Sequence, residues 1–230
     1  MTLAEYYNLP EGTNATLKPP SFYDTVDRYP YPCSPIMSSA LSDYGGAVVP
    51  ELDVSMVTTM NSMFYNCKNL VSFKSIENWD VSNVTNMDNL FNYCSKLYSL
   101  DLSKWDTSKV TSMNNMFYNS SIRKLSAIRA DKLSISTYNS PFGSSNLSSL
   151  KEWGGFTNLK SSWNGSYCVD RLTGLSHQSL INILNGLYDF TGNAVTPSSS
   201  QGKIKFGTTH LAKLTDEEKS IATNKGWTLS

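Results

Sequence analysis

A repeat of nearly constant period runs through the middle of this chain and limits its fold more than any other feature. Three segments align position by position, beginning at Asp53, Asp80 and Asp106, which are 27 and 26 residues apart. The second reads Asp80-Val-Ser-Asn-Val-Thr-Asn-Met-Asp-Asn-Leu-Phe-Asn-Tyr-Cys94. A degraded fourth copy places Phe142 at the position of Phe117, followed by Leu147 and Leu150. One unit of this size cannot bury its apolar face alone, so neighbouring units must stack into a continuous core.

Each unit carries two periodicities. Val84, Met87, Leu90, Phe91 and Cys94 fall on one face of a short helix, with Thr85 and Asp88 spaced as a capping box at its start. Leu97 to Leu102 follows, where Leu100 and Leu102 alternate with polar residues as in a strand; residues 73–75 and 125–127 are its counterparts. The expected fold is an α/β repeat solenoid, leucine-rich-repeat-like, with a parallel strand ladder and short helices on the other side. Met60, Met87 and Met113 form one core column. Cys67 and Cys94 form another, in which the third unit has Ser120. These cysteines act as small apolar side chains or as a bridge between adjacent units.

The pattern W-D-x-S-x-V-T-x-M-x-x-M-F-x-x-C, carried by Trp79 to Cys94 and Trp105 to Ser120, resembles the BspA-like leucine-rich repeats of bacterial surface proteins and mycoplasma lipoproteins. The likeness covers residues 53–125 and weakens towards 150. It implies a right-handed, parallel-stranded repeat fold and a role in protein or surface binding, with no catalytic residues to carry over. Those proteins have export signals. Here Met1 to Pro10 lacks a basic leader and a continuous apolar core, so export by the general route is not expected. Short leaderless repeat proteins that close in a segment like Lys225-Gly-Trp-Thr-Leu229 are similar to gut bacteriophage products.

Three regions follow: residues 1–50, the repeats over 51–150, and a C-terminal capping region over 151–230. The first holds seven of the nine prolines, and its segments Lys18-Pro-Pro-Ser-Phe-Tyr23 and Arg28-Tyr-Pro-Tyr-Pro-Cys33 should run extended. It is either a cap over the first repeat or an arm that anchors the chain to a neighbouring subunit through Tyr6, Tyr7, Phe22, Tyr23, Tyr29 and Tyr31. In the last region Ser176 caps a helix carrying Leu180, Ile181, Leu184 and Leu187, and residues 191–202 form a loop. Lys203 to Phe206 alternates as a strand, Thr215 and Glu218 open a second helix ended by Gly226, and Trp227 to Leu229 forms a last strand. The two strands are expected to extend the sheet of the repeats.

Chemistry is hard to find. His177 and His210 stand near helix starts without partners at metal-ligand spacing and are expected at the surface, and neither H-x-x-x-H nor C-x-x-C occurs. No G-x-S-x-G, G-x-G-x-x-G or phosphate-loop motif is present. No catalytic residue, cofactor or metal is therefore assigned. With 19 basic and 19 acidic side chains the chain is formally neutral, which disfavours a grip on nucleic acid. No apolar run approaches the roughly 20 residues of a membrane span. Ser and Asn make up about a quarter of the residues, assigned here to helix starts and outward strand positions. The five glycosylation sequons are read as products of that abundance.

What remains is the outward side of the strand ladder. If Leu100 and Leu102 face the core, Ser72, Lys74, Ser99, Asp101, Lys124 and Ser126 line the other face, with Tyr98 beside them and Tyr65 and Tyr118 as further exposed aromatics. That face is either merely solvated or binds a partner. The expected function is a non-catalytic interaction protein, either a bacteriophage virion component associated with capsid or tail or a bacterial cell-surface adhesin. Its partners would be virion subunits through the N-terminal segment and a host-surface protein or glycan, with homo-oligomers allowed.

Overall fold

The computed structural model describes residues 31–33, 36–49, 51–133, 140–143, 147–163, 168–191 and 202–230. Short parallel strands, one or two to a repeat, pair with those of a neighbouring repeat. β1 (Tyr31–Pro32) pairs with β3 (Leu52–Asp53), and β2 (Val48–Val49) with β4 (Ser72–Phe73). β5 (Ser99–Leu100), β6 (Lys124–Leu125) and β8 (Glu152–Trp153) form a three-stranded sheet, and β7 (Ile128–Arg129) pairs with β9 (Phe156–Thr157). Leu100, Leu125 and Trp153 face the core while Ser99, Lys124 and Glu152 face solvent, the alternation that a half-buried strand requires.

The short helices expected before each strand are absent: residues 88–93 and their counterparts run as consecutive turns. Some N–H groups close the turns on carbonyls three residues back, as in Met63 N to Met60 O and Tyr65 N to Ser62 O, Leu90 N to Met87 O and Asn92 N to Asn89 O, and Met116 N to Met113 O and Tyr118 N to Asn115 O. Donors between them reach the next repeat instead. Phe64 N bonds Leu90 O, Phe91 N bonds Met116 O, and Phe117 N bonds Pro141 O, at 2.8–3.1 Å. A helix would need those N–H groups four residues back. What breaks the helix is a left-handed residue in each turn: Ser62 and Asn66, Asn89 and Tyr93, and Asn115 and Asn119 all have φ between 51° and 61°. Asn and Ser tolerate that conformation better than most residues. The abundance of Asn and Ser thus serves the left-handed corners as well as the outward strand positions. Thr85 caps no helix; its N–H and hydroxyl both donate to Thr58 O.

The same bonding starts earlier than the repeat legible in the sequence. Met37 N, Ser39 N, Leu41 N and Asp43 N donate to Thr59, Asn61, Met63 and Tyr65 carbonyls, with Ser39 and Asp43 again left-handed. A turn unit therefore lies inside the region read as arm or cap. Its core residues are Met37, Ala40, Leu41 and Tyr44, all buried. Tyr6, Tyr7, Phe22, Tyr23 and Tyr29 lie outside the described residues, and Tyr31 contributes its backbone to β1.

Aromatic rings fill the core in register. Phe64, Phe91, Phe117 and Phe142 stack in sequence with centroids 5.9, 5.8 and 5.8 Å apart, and Trp79 stacks on Trp105 at 6.1 Å. The degraded fourth copy keeps its place through Phe142. Among the described residues no cysteine forms a disulfide. Cys67 Sγ donates to Leu41 O and Cys94 Sγ to Phe64 O, each at 3.2 Å, so the column is held by weak thiol bonds to the preceding unit.

The C-terminal elements are α1 (His177–Asn185), β10 (Lys203–Ile204), α2 (Gly207–Leu211), α3 (Asp216–Thr223) and β11 (Thr228–Leu229). Ser176 caps α1 by accepting from Ser179 N, and Thr215 with Glu218 forms a reciprocal capping box on α3. β10 and β11 pair with each other in a separate two-stranded sheet rather than extending the three-stranded one; Ile204 bridges to Trp163.

His210 is not at the surface. It is buried in α2, and neither ring nitrogen has a hydrogen-bond partner among the described residues. Burial, with the Lys213 charge, holds its pKa below the ordinary 6.5, while the Val169 and Leu172 carbonyls and Asp170 act in the opposite sense. The folded chain therefore takes up this proton at lower pH than the unfolded chain. Its contribution to stability is whole above about pH 6.5 and drains as pH falls below that value. The urea midpoint of the wild-type chain should drop on mild acidification, and His210→Leu should flatten the slope; equal slopes for the two would refute the assignment.

Candidate functional site

The outward face of the three-stranded sheet ends against a helix. α1 takes the place of a further strand: Ser179 Oγ accepts from Trp153 N at 2.8 Å, Asn182 Nδ2 donates to Trp153 O at 3.0 Å, and Ser176 N donates to Lys151 O at 2.9 Å. Side-chain groups thus satisfy the backbone of an edge strand that would otherwise invite pairing with another chain. Between the strand face and the first turn of α1 lies a cleft of about 510 Å³. Ser99, Asp101, Ser126, Glu152, Gln178 and Asn182 line it, over a floor that includes Leu100, Leu125 and Trp153.

Several of these polar groups are committed to the fold. Ser126 Oγ accepts from Leu102 N at 2.6 Å, and Asp101 accepts from Ser103 N at 3.0 Å. The hydrogen bonds from Ser103 hold the Asp101 carboxyl below its usual range. Lys124 faces Glu152 at 2.9 Å across directly paired strands, which raises the lysine pKa. The Lys124 and Glu152 charges offset each other, so the cleft combines hydroxyl and amide groups with the single carboxylate of Asp101.

Of the residues assigned from the sequence, Ser99, Asp101, Lys124 and Ser126 come together around this cleft. Tyr98 lies next to it in sequence, exposed, with the Arg123 guanidinium 4.8 Å from its ring centre. Ser72 and Lys74 do not join them: Ser72 belongs to the β2–β4 pair and Lys74 bonds Val49 O, on a different sheet. Tyr65 and Tyr118 are also apart from the cleft. Sequence reasoning missed Glu152, Gln178 and Asn182. An opposite charge 28 residues beyond Lys124 was the available signal for Glu152; nothing in the sequence announced that α1 would close the sheet.

Residues 37–153 match the sequence model of a family described as Mycoplasma protein of unknown function, DUF285. The chain belongs to this family. No curated protein and no solved structure matches it. The match starts at Met37, the first buried residue of the earliest turn unit, and ends at Trp153 in β8, while strand pairing runs beyond it at both ends, through β1 and β9. In this family member the cleft sits at the boundary, built mostly from matched residues and completed by α1 and its cap beyond them.

Among the described residues, no group of three or more His, Cys, Asp or Glu is arranged to hold a metal ion, and no helix is long and apolar enough to cross a membrane. His177 is exposed and bonds Glu218 at 2.8 Å. Burial and Asp53 push the Cys33 thiol up to about 12, too high for a nucleophilic thiolate.

Proposed function

We propose that this chain is a non-catalytic interaction protein, a leucine-rich-repeat-like solenoid that presents its strand-side cleft to a partner. The observation that carries this reading is the cleft itself: a concave face with exposed polar groups over an apolar floor, closed at one end by α1. Concave strand faces of stacked repeats are the usual binding surfaces of such folds. In this reading the chain is a bacteriophage virion component, held by its N-terminal segment and turned outward towards the host. A bacterial cell-surface adhesin is the second reading, favoured by the cellular origin in the family's description.

Particle composition separates the two: intact chain in stoichiometric amount on purified phage supports the first, and its presence only in envelope fractions overturns it. For the cleft, Ser99→Arg fills an exposed position and should leave unfolding unchanged. Adsorption of the particle or cell to its target should fall about tenfold, the effect of losing one central contact. Unchanged adsorption would exclude the cleft as the binding face.

A further inference from the structure

Three tyrosines from consecutive repeats form an aromatic row that the strand-side cleft does not use. Tyr65 lies 5.9 Å from Tyr93, and Tyr93 lies 5.6 Å from Tyr118, each pair edge to face. Tyr65 and Tyr93 are each 37% exposed, and Tyr118 is half-buried. The row ends where Gly143 takes the next place with φ +62°; a Cβ there would come within 2.7 Å of the Tyr118 ring.

The middle ring is held at a conformational cost. The first and third repeats read Tyr65-Asn66 and Tyr118-Asn119, with Asn in the left-handed corner, whereas the second reads Asn92-Tyr93. The exchange puts Tyr93 at φ +60°, unusual for a bulky residue, and buries Asn92 with its Oδ1 unpartnered among the described residues. Packing alone would be better served by the order of the neighbours. Strain of this kind concentrates where a side chain is needed for function.

The surroundings indicate what the row would receive. Ser62, Asn66, Asn89 and Asn119 occupy the corners of the same turns. Both acids of these turns are already engaged, Asp43 by Asn66 Nδ2 and Asp88 by Ser112 Oγ and Asn114 N. Exposed aromatic rings flanked by amides, hydroxyls and two hydrogen-bonded carboxylates suit an uncharged pyranose, whose C–H groups pack on a ring while its hydroxyls meet the polar groups. A proline-rich peptide needs grooves between rings. Rings in edge-to-face contact at these distances pack against one another instead.

We infer that Tyr65, Tyr93 and Tyr118 form a binding row for an uncharged polysaccharide chain. The row is independent of the strand-side cleft, so Ser99→Arg should leave it intact and the two readings can fail separately.

The test is native electrophoresis of the full chain through gels containing, one at a time, mixed-linkage β-glucan, hydroxyethylcellulose, xylan and dextran. At least one should retard the wild-type chain and Ser99→Arg alike. Tyr93→Asn should weaken the retardation about fivefold, the worth of one aromatic contact, while leaving the melting temperature unchanged or raised. Tyr65→Ser with Tyr118→Ser should abolish it. Three results overturn the proposal: no retardation in any gel, retardation that survives removal of all three rings, or displacement of the polysaccharide by a peptide of residues 18–35, which would make the row a self-association site. Weakened retardation accompanied by a lowered melting temperature in Tyr93→Asn would also overturn it, because the ring would then be structural.

Discussion

Phe91→Ala is expected to lower the unfolding free energy by about 4 kcal/mol, measured by urea denaturation. Phe91 is fully buried and stacked between Phe64 and Phe117, and it meets Phe73 edge to face at 5.6 Å. Truncation removes the transfer free energy of the ring and the contacts of three neighbouring rings at once. The hole cannot easily collapse, because backbone bonds to Met116 O on one side and from Phe64 N to Leu90 O on the other fix the spacing of the repeats. Phe91→Leu keeps most of the volume and should lose only about 1.5 kcal/mol. Tyr93, two residues away on the outward side, should show no comparable loss. A loss under about 2 kcal/mol for Phe91→Ala would mean the aromatic column is not the main support of the stack.

Gly186→Ala should destabilise by about 3 kcal/mol, near the upper end for overpacking. The sign runs against local expectation. Gly186 closes α1 at φ −78°, a conformation open to any residue, and helix propensity alone favours Ala by about 1 kcal/mol. Its Cβ, however, would stand 1.6 Å from the carbonyl oxygen of Phe156 in β9. That obstacle is backbone and cannot rotate away. The turn is also pinned from outside, because Lys225 Nζ donates to Asn185 O at 2.6 Å and Leu187 O at 3.1 Å. Relief would require α1 to lift from β9, breaking the Leu159 N to Gly186 O bond. Thermal unfolding monitored by circular dichroism would show the shift; an unchanged or raised midpoint would show that α1 is not seated as described.

The part of the fold easiest to read was the part that repeats. Phe64, Phe91, Phe117 and Phe142 lie in the column their spacing implied, Ser176 and Thr215 cap the helices assigned to them, and Ser99 and Lys124 face outward. The turns carry a helix-like spacing for a definite reason. A turn closed by an i to i+3 bond every three or four residues buries its side chains at the same intervals as one face of a helix. Only the fate of the remaining N–H groups separates the two, and that fate lies about 26 residues away in the chain, at partners such as Leu90 O for Phe64 N. The unit over residues 37–44 escaped notice because Ala40, Leu41 and Tyr44 replace the Met, Phe and Cys of the later copies. The burial of His210 is not legible in the sequence because it depends on how α2 packs on residues 168–172, which no local pattern announces.

By itself, then, the sequence determined the period, the buried columns and the polar edge, since these depend on which residues recur and at what interval. Tertiary structure alone decided three further matters: that the backbone bonds run between repeats rather than along helices, that α1 closes the sheet and turns a strand face into a cleft, and that Tyr93 leans across from a neighbouring position to complete a row with Tyr65 and Tyr118. Each depends on groups far apart in the chain meeting at hydrogen-bond or contact distance. Spacing can permit such a meeting, but only packing brings it about.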